Sequence, residues 1–469
     1  MKIKYWPQGL NYDIYSLAKA FYPDTEIEIE ENSEKNDKEW GYYADIIFDN
    51  GSMQSLFIRL IKDKEKELKN ELKRELYKAF SEHTGKKLPW GTLTGIRPTK
   101  LPMGMIKEGK SDREIQEYLR DTYLVSNEKI DLATRIAKKE LGILDSLSGQ
   151  DGYSIYIGIP FCPTTCLYCS FTSYPISKYK NIVDDYIECL KKEIDYVKQA
   201  FKDKVIDTVY VGGGTPTTLM PDQIDELLTY LRDNLDLSKC KEITVEAGRP
   251  DSITEDKLIA LKRNGVTRIS VNPQTMNDDT LKLIGRAHNT KQFREAFLLA
   301  RKYFDNINTD LILGLPGEDD DKVRYTFDEI RELAPNSITV HSMAIKRAAH
   351  MDEYLKKHPE IKSEITDNMM CFQKECAESL GMDAYYLYRQ KNMTGNYENT
   401  GYASSGKEGI YNILIMEEIQ TIVALGAGSI SKRVYGDGRI ERCDNVKDVS
   451  LYIEKIDEMI ERKRKLFAD

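Results

Sequence analysis

The stretch that decides the fold is Tyr156-Ile-Gly-Ile-Pro-Phe-Cys-Pro-Thr-Thr-Cys-Leu-Tyr-Cys169. Its apolar, β-branched start predicts a buried strand. A loop with three thiols follows at once: Cys162, Cys166 and Cys169. Three thiolates can hold three irons of a cubane and leave the fourth iron open, whereas electron-transfer clusters normally use four cysteines. A zinc site or a chance cluster is the alternative, but zinc favours four closed ligands, and no histidine or fourth cysteine stands near this loop.

The remaining cysteines are scattered along the chain. Eight cysteines in 469 residues are too few for a disulfide scaffold, and a reducing compartment keeps them as thiols. We interpret the five outside the loop as small buried apolar residues, namely Cys189, Cys240, Cys371, Cys376 and Cys443.

Length and charge limit the class of protein. A chain of 469 residues is too long for one ordinary core, so two or three domains are expected. The formal charge of −9 argues against broad nucleic-acid binding, which normally uses a basic surface. There is no run of about 18 apolar residues and no apolar start that fits a signal peptide. We therefore expect a cytoplasmic protein that binds neither nucleic acid nor membrane.

From Ser154 onward, β-rich runs alternate with helical stretches such as Val183–Phe201, Pro221–Leu235 and Thr254–Asn264. This alternation predicts an α/β fold with a parallel sheet. Six βα units predict a partial (βα)6 barrel rather than a closed eight-fold one. The predicted strands are Ser154–Ile159, Asp207–Gly212, Glu242–Ala247, Arg268–Asn272, Asn308–Leu313 and Ser337–Ser342.

The regions on either side of the barrel have their own patterns. An alternating stretch near Tyr43–Arg59 and a charged helical run over Lys62–Phe80 predict an α/β or α+β accessory domain at residues 1–150. We predict a linker at Ser146–Gly152 and the barrel core at residues 151–345. After it, a tyrosine-rich run, a glycine-punctuated segment and an amphipathic helix over Val446–Arg464 predict a substrate-side region at 346–469.

Candidate binding residues follow the ends of the predicted strands, where parallel barrels bind ligands. The glycines of Val211-Gly-Gly-Gly-Thr-Pro216 let the backbone approach a ligand and present N–H groups to it; a plain turn is the alternative. Buried charges need partners, and a ligand or an ion pair of Arg286 with Glu246 would supply them. The candidates are Gly213, Gly214, Thr215, Glu246, Gln274, Arg286 and Asp310.

The three-cysteine loop that opens a six-fold βα repeat resembles the radical S-adenosylmethionine (SAM) superfamily over Ser154–Ser342. The resemblance implies a [4Fe–4S] cluster on Cys162, Cys166 and Cys169, with SAM at the open iron. It also implies cleavage of the C5′–S bond of SAM to a 5′-deoxyadenosyl radical, which abstracts a hydrogen atom. The glycine turn would bind the methionine amino group.

Further motifs resemble the oxygen-independent coproporphyrinogen III oxidase family, and they stand at Tyr156–Cys162, Gly212–Thr217 and Asp310–Pro316. The resemblance implies that Tyr156 lies in the cluster and SAM site as a catalytic residue, together with the binding candidates above. Leu88–Lys100 and Tyr385–Met393 are similar to the coproporphyrinogen dehydrogenase subgroup called HemZ. Its implied reaction is oxidative decarboxylation of two propionates of coproporphyrinogen III to give protoporphyrinogen IX, with an unidentified electron donor.

Two departures keep alternatives open. Phe171 stands where well-studied oxidases carry a further cysteine, which brings the chain nearer to the family's haem-chaperone branch. The stretch Tyr411–Met416, however, lacks the histidine of that branch's haem motif. The alternatives are a haem-binding chaperone or another radical SAM enzyme that modifies a tetrapyrrole.

A tetra-anionic tetrapyrrole substrate needs cations at its pocket. Arginine suits carboxylates, although a solvated surface is the alternative for each cation. The candidates are Arg347, Arg389, Lys391, Lys432 and Arg433.

Overall fold

The computed structural model describes residues 1–6, 9–23, 25–31, 41–59, 65–344, 350–390 and 397–468, with the backbone alone for residues 59, 65 and 66. The chain divides into two compact units. The first contains Met1–Lys139, Ser342–Ala344 and Leu387–Asn399, and the second contains Glu140–His341, Ile345–Tyr386 and Thr400–Asp469. The division into three functional regions stays a prediction.

The first unit is built on a small mixed sheet. Its strands are β1 (Lys2–Trp6), β2 (Glu28–Glu31), β3 (Gly41–Ile47) and β4 (Met53–Arg59). In the described part of this unit the four strands have the order β2-β1-β3-β4, with β1 parallel to β2 and β3 antiparallel to β1 and β4. Its helices are α1 (Asn11–Phe21), α2 (Glu65–Thr84), α3 (Lys100–Lys107) and α4 (Asp112–Tyr123), and α5 (Asn127–Leu144) begins in this unit and ends in the second.

Alternating burial of side chains along the strands explains why one face of this sheet packs on a core. On β1, Ile3 and Tyr5 are fully buried while their neighbours are half-buried, as one sheet face packed on a core requires. Phe21 of α1 and Leu72 and Leu76 of α2 belong to the same apolar cluster. The alternating stretch of the sequence is the β3–β4 hairpin, which confirms the predicted mixed α and β accessory unit.

Thirteen further strands follow among the described residues, mostly within the second unit, and they include those of the barrel. They are β5 (Gly152–Ile159), β6 (Phe161–Cys162), β7 (Tyr174–Pro175), β8 (Val205–Gly213), β9 (Glu242–Glu246), β10 (Arg268–Ser270), β11 (Ile307–Leu313), β12 (Ser337–Ser342), β13 (Asp383–Tyr388), β14 (Asn399–Ala403), β15 (Thr421–Leu425), β16 (Ile430–Val434) and β17 (Ile440–Asp444). Among the described residues, eleven of them form one sheet in the order β13-β14-β12-β11-β10-β9-β8-β5-β15-β16-β17. Strands β5, β8, β9, β10 and β11 pair in parallel. The predicted α/β barrel core is therefore confirmed.

Helices connect these strands. They are α6 (Ile176–Tyr179), α7 (Val183–Ala200), α8 (Pro221–Asn234), α9 (Glu255–Arg263), α10 (Asp278–Leu283), α11 (Thr290–Arg301), α12 (Asp320–Leu333), α13 (Met351–Lys357), α14 (Asp367–Ser379), α15 (Ile410–Glu417), α16 (Val449–Glu454) and α17 (Ile456–Phe467). On α7, Ile187, Leu190, Ile194 and Val197 are buried, at the three- and four-residue spacing of one helix face. In the part of the chain that the structure describes, no helix has the length and apolarity to cross a bilayer.

The end of the chain differs from its prediction in two ways. The glycine-punctuated segment contains β15, which pairs in parallel with β5 and extends the sheet. The single helix expected over Val446–Arg464 is wrong, because α16 and α17 are separated at Lys455, where φ is −109° and ψ is 25°. Helix α16 begins only at Val449, because Asp448 accepts a hydrogen bond from the Leu451 N–H and caps it.

Candidate active site

The three thiols lie on one loop directly after β5. The Cys169 N–H donates to the Cys166 carbonyl over 3.1 Å, which closes a turn between the second and third thiols. The Leu167 N–H donates to the Ile284 carbonyl over 3.0 Å and ties the loop to the residue that follows α10. Backbone hydrogen bonds therefore hold the thiols in place.

The three thiols differ in exposure: Cys166 is buried, whereas Cys162 and Cys169 are half-buried. Burial, with a smaller contribution from the nearby Cys169 and Cys166, raises the pKa of Cys162 to about 11, although the hydrogen bond with Thr215 opposes the rise. Yet no three His, Cys, Asp or Glu side chains of the described residues are grouped so that they could hold one metal ion. Each thiolate of a cubane binds a different iron.

The glycine turn after β8 packs against the cysteine loop. The Gly214 N–H donates to the Ile159 carbonyl over 2.8 Å, and the Thr215 N–H donates to the Phe161 carbonyl over 2.7 Å. A Cβ on Gly214 would lie 2.6 Å from the Phe161 oxygen and 3.0 Å from Cys162 Sγ. The expectation that these N–H groups face a ligand is therefore wrong, because the loop already uses them.

Tyr156 lies in a stack of tyrosines beside this turn. Its ring is parallel to those of Tyr210 and Tyr411, with centroids 6.2 Å away in both cases. Gly213 has φ of +110°, which favours glycine, and a Cβ there would be 3.4 Å from Tyr156 Oη. Burial and the Glu246 carboxyl raise the pKa of Tyr156, so its hydroxyl stays protonated at neutral pH.

Glu246 ends β9 and faces the same stack. Its Oε1 accepts a hydrogen bond of 2.5 Å from Tyr210 Oη. Burial raises the pKa of Glu246 to about 7, and the negative charge of Asp310 adds to the rise. The Tyr210 hydrogen bond and the charge of Arg268 oppose this rise, and a further cation beside Glu246 would also favour its carboxylate form.

Asp310 on β11 is held as an anion by its neighbours. Its two oxygens accept hydrogen bonds from Asn272 Nδ2 over 2.8 Å and from Asn308 Nδ2 over 2.6 Å. His341 Nε2 lies 3.9 Å from Oδ2. Burial opposes ionisation, but His341 and Asn308 hold the pKa of Asp310 below its usual value.

Gln274 is strained and incompletely bonded. Its φ is +71°, which costs a non-glycine residue about 1–3 kcal/mol. Its backbone is fixed on both sides, since its N–H donates to the Asp310 carbonyl over 3.1 Å and its carbonyl accepts from the Ile312 N–H over 2.9 Å. The buried side-chain oxygen, Oε1, has no hydrogen-bond partner among the described residues. A buried acceptor without a protein donor can accept a hydrogen bond from a water molecule or a bound ligand.

Arg286 joins the cysteine loop to the end of β9. Its Nη2 donates to Tyr168 Oη over 2.9 Å, and its Nη1 donates to the Gly248 carbonyl over 3.3 Å. The ion pair of Arg286 with Glu246, considered above, is not formed, since Glu246 bonds to Tyr210 instead. The structure therefore brings Arg286 to the cysteine loop and Glu246 to the glycine turn, whereas a common role for all the candidates stays a prediction.

Sequence reasoning missed four polar residues of this site: Tyr210, Arg249, Asn272 and His341. Arg249 is buried, and its Nη1 lies 3.6 Å from Cys166 Sγ. Its place just after β9 is the signal that could have found it, because ligand sites lie at the carboxyl ends of barrel strands. The other three contact Glu246 or Asp310, and no local motif marks them.

The five candidate cations for binding a tetrapyrrole fall into two groups. Arg347 and Lys391 lie outside the described residues. The other three have intramolecular partners: Arg389 Nη1 donates to the Leu93 carbonyl over 2.5 Å, Lys432 pairs with Glu418 at 3.0 Å, and Arg433 Nη1 donates to the Leu466 carbonyl over 3.0 Å. Their role toward a tetrapyrrole stays a prediction.

Several known proteins are similar to this chain in sequence. The model of the radical SAM superfamily matches residues 156–330. The oxygen-independent coproporphyrinogen-III oxidase-like protein HemZ of Bacillus subtilis (strain 168) is 41% identical over 406 residues, which cover 85% of this chain and 81% of that protein. The haem chaperone HemW of the same bacterium is 31% identical over 314 residues, covering 65% and 76% of the two chains.

Solved structures agree on the fold. The coproporphyrinogen III oxidase HemN of Escherichia coli, described as a radical SAM enzyme, matches with a TM-score of 0.51 at 21% identity, over 68% of this chain and 73% of that one. The chain therefore belongs to the radical SAM superfamily, in the family of oxygen-independent coproporphyrinogen III oxidase-like proteins that includes HemZ.

Proposed function

We propose that this protein is a radical SAM oxidoreductase that decarboxylates coproporphyrinogen III to protoporphyrinogen IX without oxygen. One structural observation carries the chemistry: the glycine turn after β8 packs on the loop with three thiols, and the Glu246 carboxyl lies beside that turn. The identity of 41% to HemZ over most of the chain supports the choice of substrate.

Enzymes of this superfamily use a [4Fe–4S] cluster and SAM. Together these groups supply a one-electron cleavage of the C5′–S bond of SAM and a carbon radical that takes a hydrogen atom. We assign Cys162, Cys166 and Cys169 as the cluster ligands, because three thiolates leave one iron open for SAM.

The remaining candidates would hold SAM. The carboxylates of Glu246 and Asp310 and the Oε1 of Gln274 are acceptors for its ammonium and hydroxyl groups. The guanidinium of Arg286 is a donor for its carboxylate. The turn of Gly213, Gly214 and Thr215 allows close approach of the methionine end, and we place Tyr156 beside it as the catalytic residue that orients the reacting atoms.

The reaction balances as follows. A hydrogen atom leaves the β-carbon of a propionate, CO₂ leaves from the carboxylate end, a vinyl group forms and one electron passes to an acceptor. An unidentified low-potential donor supplies the electron for each SAM cleavage. Because one radical event removes one hydrogen atom, the two propionates react in turn through a tri-propionate intermediate. We also expect the protein to act in the cytoplasm, where thiols stay reduced.

Anaerobic turnover tests this function. The protein is supplied with dithionite, SAM and coproporphyrinogen III deuterated at the propionate β-carbons. We expect CO₂, a product that lacks two carboxyl groups, and deuterium in the 5′-deoxyadenosine. The variant with alanine at Cys162, Cys166 and Cys169 is the control and should form none of these. An intact cluster that cleaves SAM but returns the porphyrinogen unchanged would reject the oxidase function.

The haem chaperone HemW provides the second candidate, since it is 31% identical over 65% of this chain. A chaperone would bind haem without decarboxylation. Titration of the same preparation with haem, followed by absorbance, separates the two functions. Tight one-to-one binding without formation of CO₂ supports the chaperone, whereas CO₂ formation without stoichiometric haem supports the oxidase. Mass analysis of the product would reveal another tetrapyrrole modification, such as methyl transfer or ring opening.

A further inference from the structure

Arg249 is a buried cation that contacts the cysteine loop. It is 3% exposed, and its Nη1 lies 3.6 Å from Cys166 Sγ. The same nitrogen lies 3.1 Å from Thr164 Oγ1 and 3.3 Å from the Thr164 carbonyl. Arg249 thus donates to a thiol and to the backbone between the first two thiols.

Asp251 orients this guanidinium from its opposite side. Arg249 Nε and Nη2 donate to its two carboxylate oxygens, each over 2.9 Å. Burial opposes ionisation of Asp251, but Arg249 holds its pKa below the usual value, so the carboxylate is charged. The bidentate pair therefore presents its positive end to the sulfur and its negative end away from it.

Two other titratable groups, Arg286 and His288, interact with Asp251. Arg286 lies close enough to interact with both Cys166 and Asp251. His288 Nδ1 is 3.9 Å from Asp251 Oδ1, but burial and Arg286 lower the pKa of His288 to about 3. His288 is therefore neutral at the pH of an assay and adds no charge.

We propose that Arg249 tunes the cluster by raising its reduction potential, with Asp251 limiting the rise. Reduction adds one electron, and hence negative charge, to a cluster bound through Cys166. A cation and an N–H···S hydrogen bond next to the ligand sulfur stabilise that charge, and such contacts set the potentials of iron–sulfur clusters. Burial strengthens the effect because the surrounding dielectric is low. This inference rests on the proposed assignment of Cys166 as a cluster ligand.

A purely structural role is the competing explanation, because Arg249 also anchors the Thr164 backbone. The two roles predict different results. Loss of an anchor lowers cluster occupancy in every variant and has no defined effect on potential. If Arg249 tunes the cluster, removal of this cation lowers the reduction potential, and removal of its counter-charge Asp251 raises it.

The test is a redox titration of reconstituted full-length protein, poised with dithionite and mediators and read by EPR, with iron measured in each sample. In Arg249→Gln we expect the ratio of reduced to oxidised cluster at a fixed potential to fall about tenfold, equal to about 59 mV for one electron. In Asp251→Asn, which keeps the cation and removes its counter-charge, the ratio should rise.

Two further variants complete the design. Arg249→Lys keeps the charge and should stay closer to wild type than Arg249→Gln. Lys257→Met is the matched control: it removes another buried cation, whose Nζ donates to the Thr217 and Ser252 carbonyls over 2.6 and 3.1 Å, and should leave the potential unchanged.

The outcomes distinguish a tuning role from a structural role and from a wrong ligand assignment. Unchanged potentials in iron-replete Arg249→Gln and Asp251→Asn, shifts of the same sign, or an equal shift in Lys257→Met would each overturn the tuning role. If Arg249→Gln binds no iron, the direction of the shift in Asp251→Asn decides. Loss of iron from all Arg249 and Asp251 variants would make the pair structural. Four irons retained in Cys166→Ala would instead reject the ligand assignment of the proposed function.

Discussion

The hydroxyl of Tyr210 donates a hydrogen bond of 2.5 Å to Oε1 of Glu246, from the neighbouring strand of the barrel. Burial raises the pKa of Glu246 to about 7, and the Tyr210 hydrogen bond opposes this rise. Because a cationic ligand binds the carboxylate, the affinity for SAM should increase as pH rises through 7. In Tyr210→Phe the pKa of Glu246 should be higher by about one to two units, since a hydrogen bond to a charged group contributes about 1.5–3 kcal/mol.

Calorimetric titration of SAM between pH 6 and 9 measures this effect. The amino group of SAM titrates equally in both proteins, so the difference between the two pH profiles reports on Glu246. Tyr153→Phe is the control. Tyr153 is another buried tyrosine, which lies on β5 and packs against Phe201 with ring centroids 4.6 Å apart. Identical profiles for Tyr210→Phe and wild type would contradict the role given to Glu246.

Iron content tests the cluster ligands. Protein reconstituted without oxygen should bind about four irons per chain, as one cubane requires. Replacement of Cys162, Cys166 and Cys169 by alanine should remove nearly all of it. The controls are Cys189→Ala and Cys240→Ala, which should keep the iron. A complete cluster signal in the triple variant would refute the assignment.

Gln274→Gly should separate stability from binding. Glycine adopts the φ of +71° found at this position without strain, so the melting temperature of the ligand-free protein should stay equal or rise. The affinity for SAM should fall several-fold, because the buried acceptor Oε1 is removed. Gln274→Glu provides a comparison that retains an acceptor. If SAM affinity is unchanged in Gln274→Gly, the unpartnered oxygen does not face SAM.

Glu140 should make stability depend on pH. It is fully buried, and neither carboxyl oxygen has a hydrogen-bond partner in the described part of the chain. Burial raises its pKa to about 9, helped by the charge of Glu417. Between the unfolded value of 4.5 and 9, the native state binds one more proton than the unfolded state. The free energy of unfolding therefore falls as pH rises across this range, by at most about 1.4 kcal/mol per pH unit.

Urea unfolding at pH 6 and pH 8 checks this sign. Glu140→Gln is neutral at both values and should be more stable than wild type at pH 8 by a few kcal/mol, with a smaller difference between the two pH values. Glu128→Gln on the same helix is the control, because Glu128 is 65% exposed and should leave the difference unchanged. The same pH dependence in Glu140→Gln and wild type would show that another group titrates.

Much of the barrel and the location of its site were predictable from local pattern. The three thiols follow one strand within a few residues, so chain connectivity alone keeps them together. Strand β12 was predicted with its observed bounds, Ser337–Ser342. Glu246 and Asp310 were placed at one edge because the carboxyl ends of parallel strands share an edge.

Only the tertiary structure decided which groups touch. Tyr210 reaches Glu246 and Arg249 reaches Cys166, although neither contact has a motif. The parallel pairing of β15 with β5 joins segments on opposite sides of the barrel sequence. The physical reason is the range of the signals. Periodicity and turn residues report on backbone neighbours, whereas the partner of a buried polar group depends on how distant elements pack.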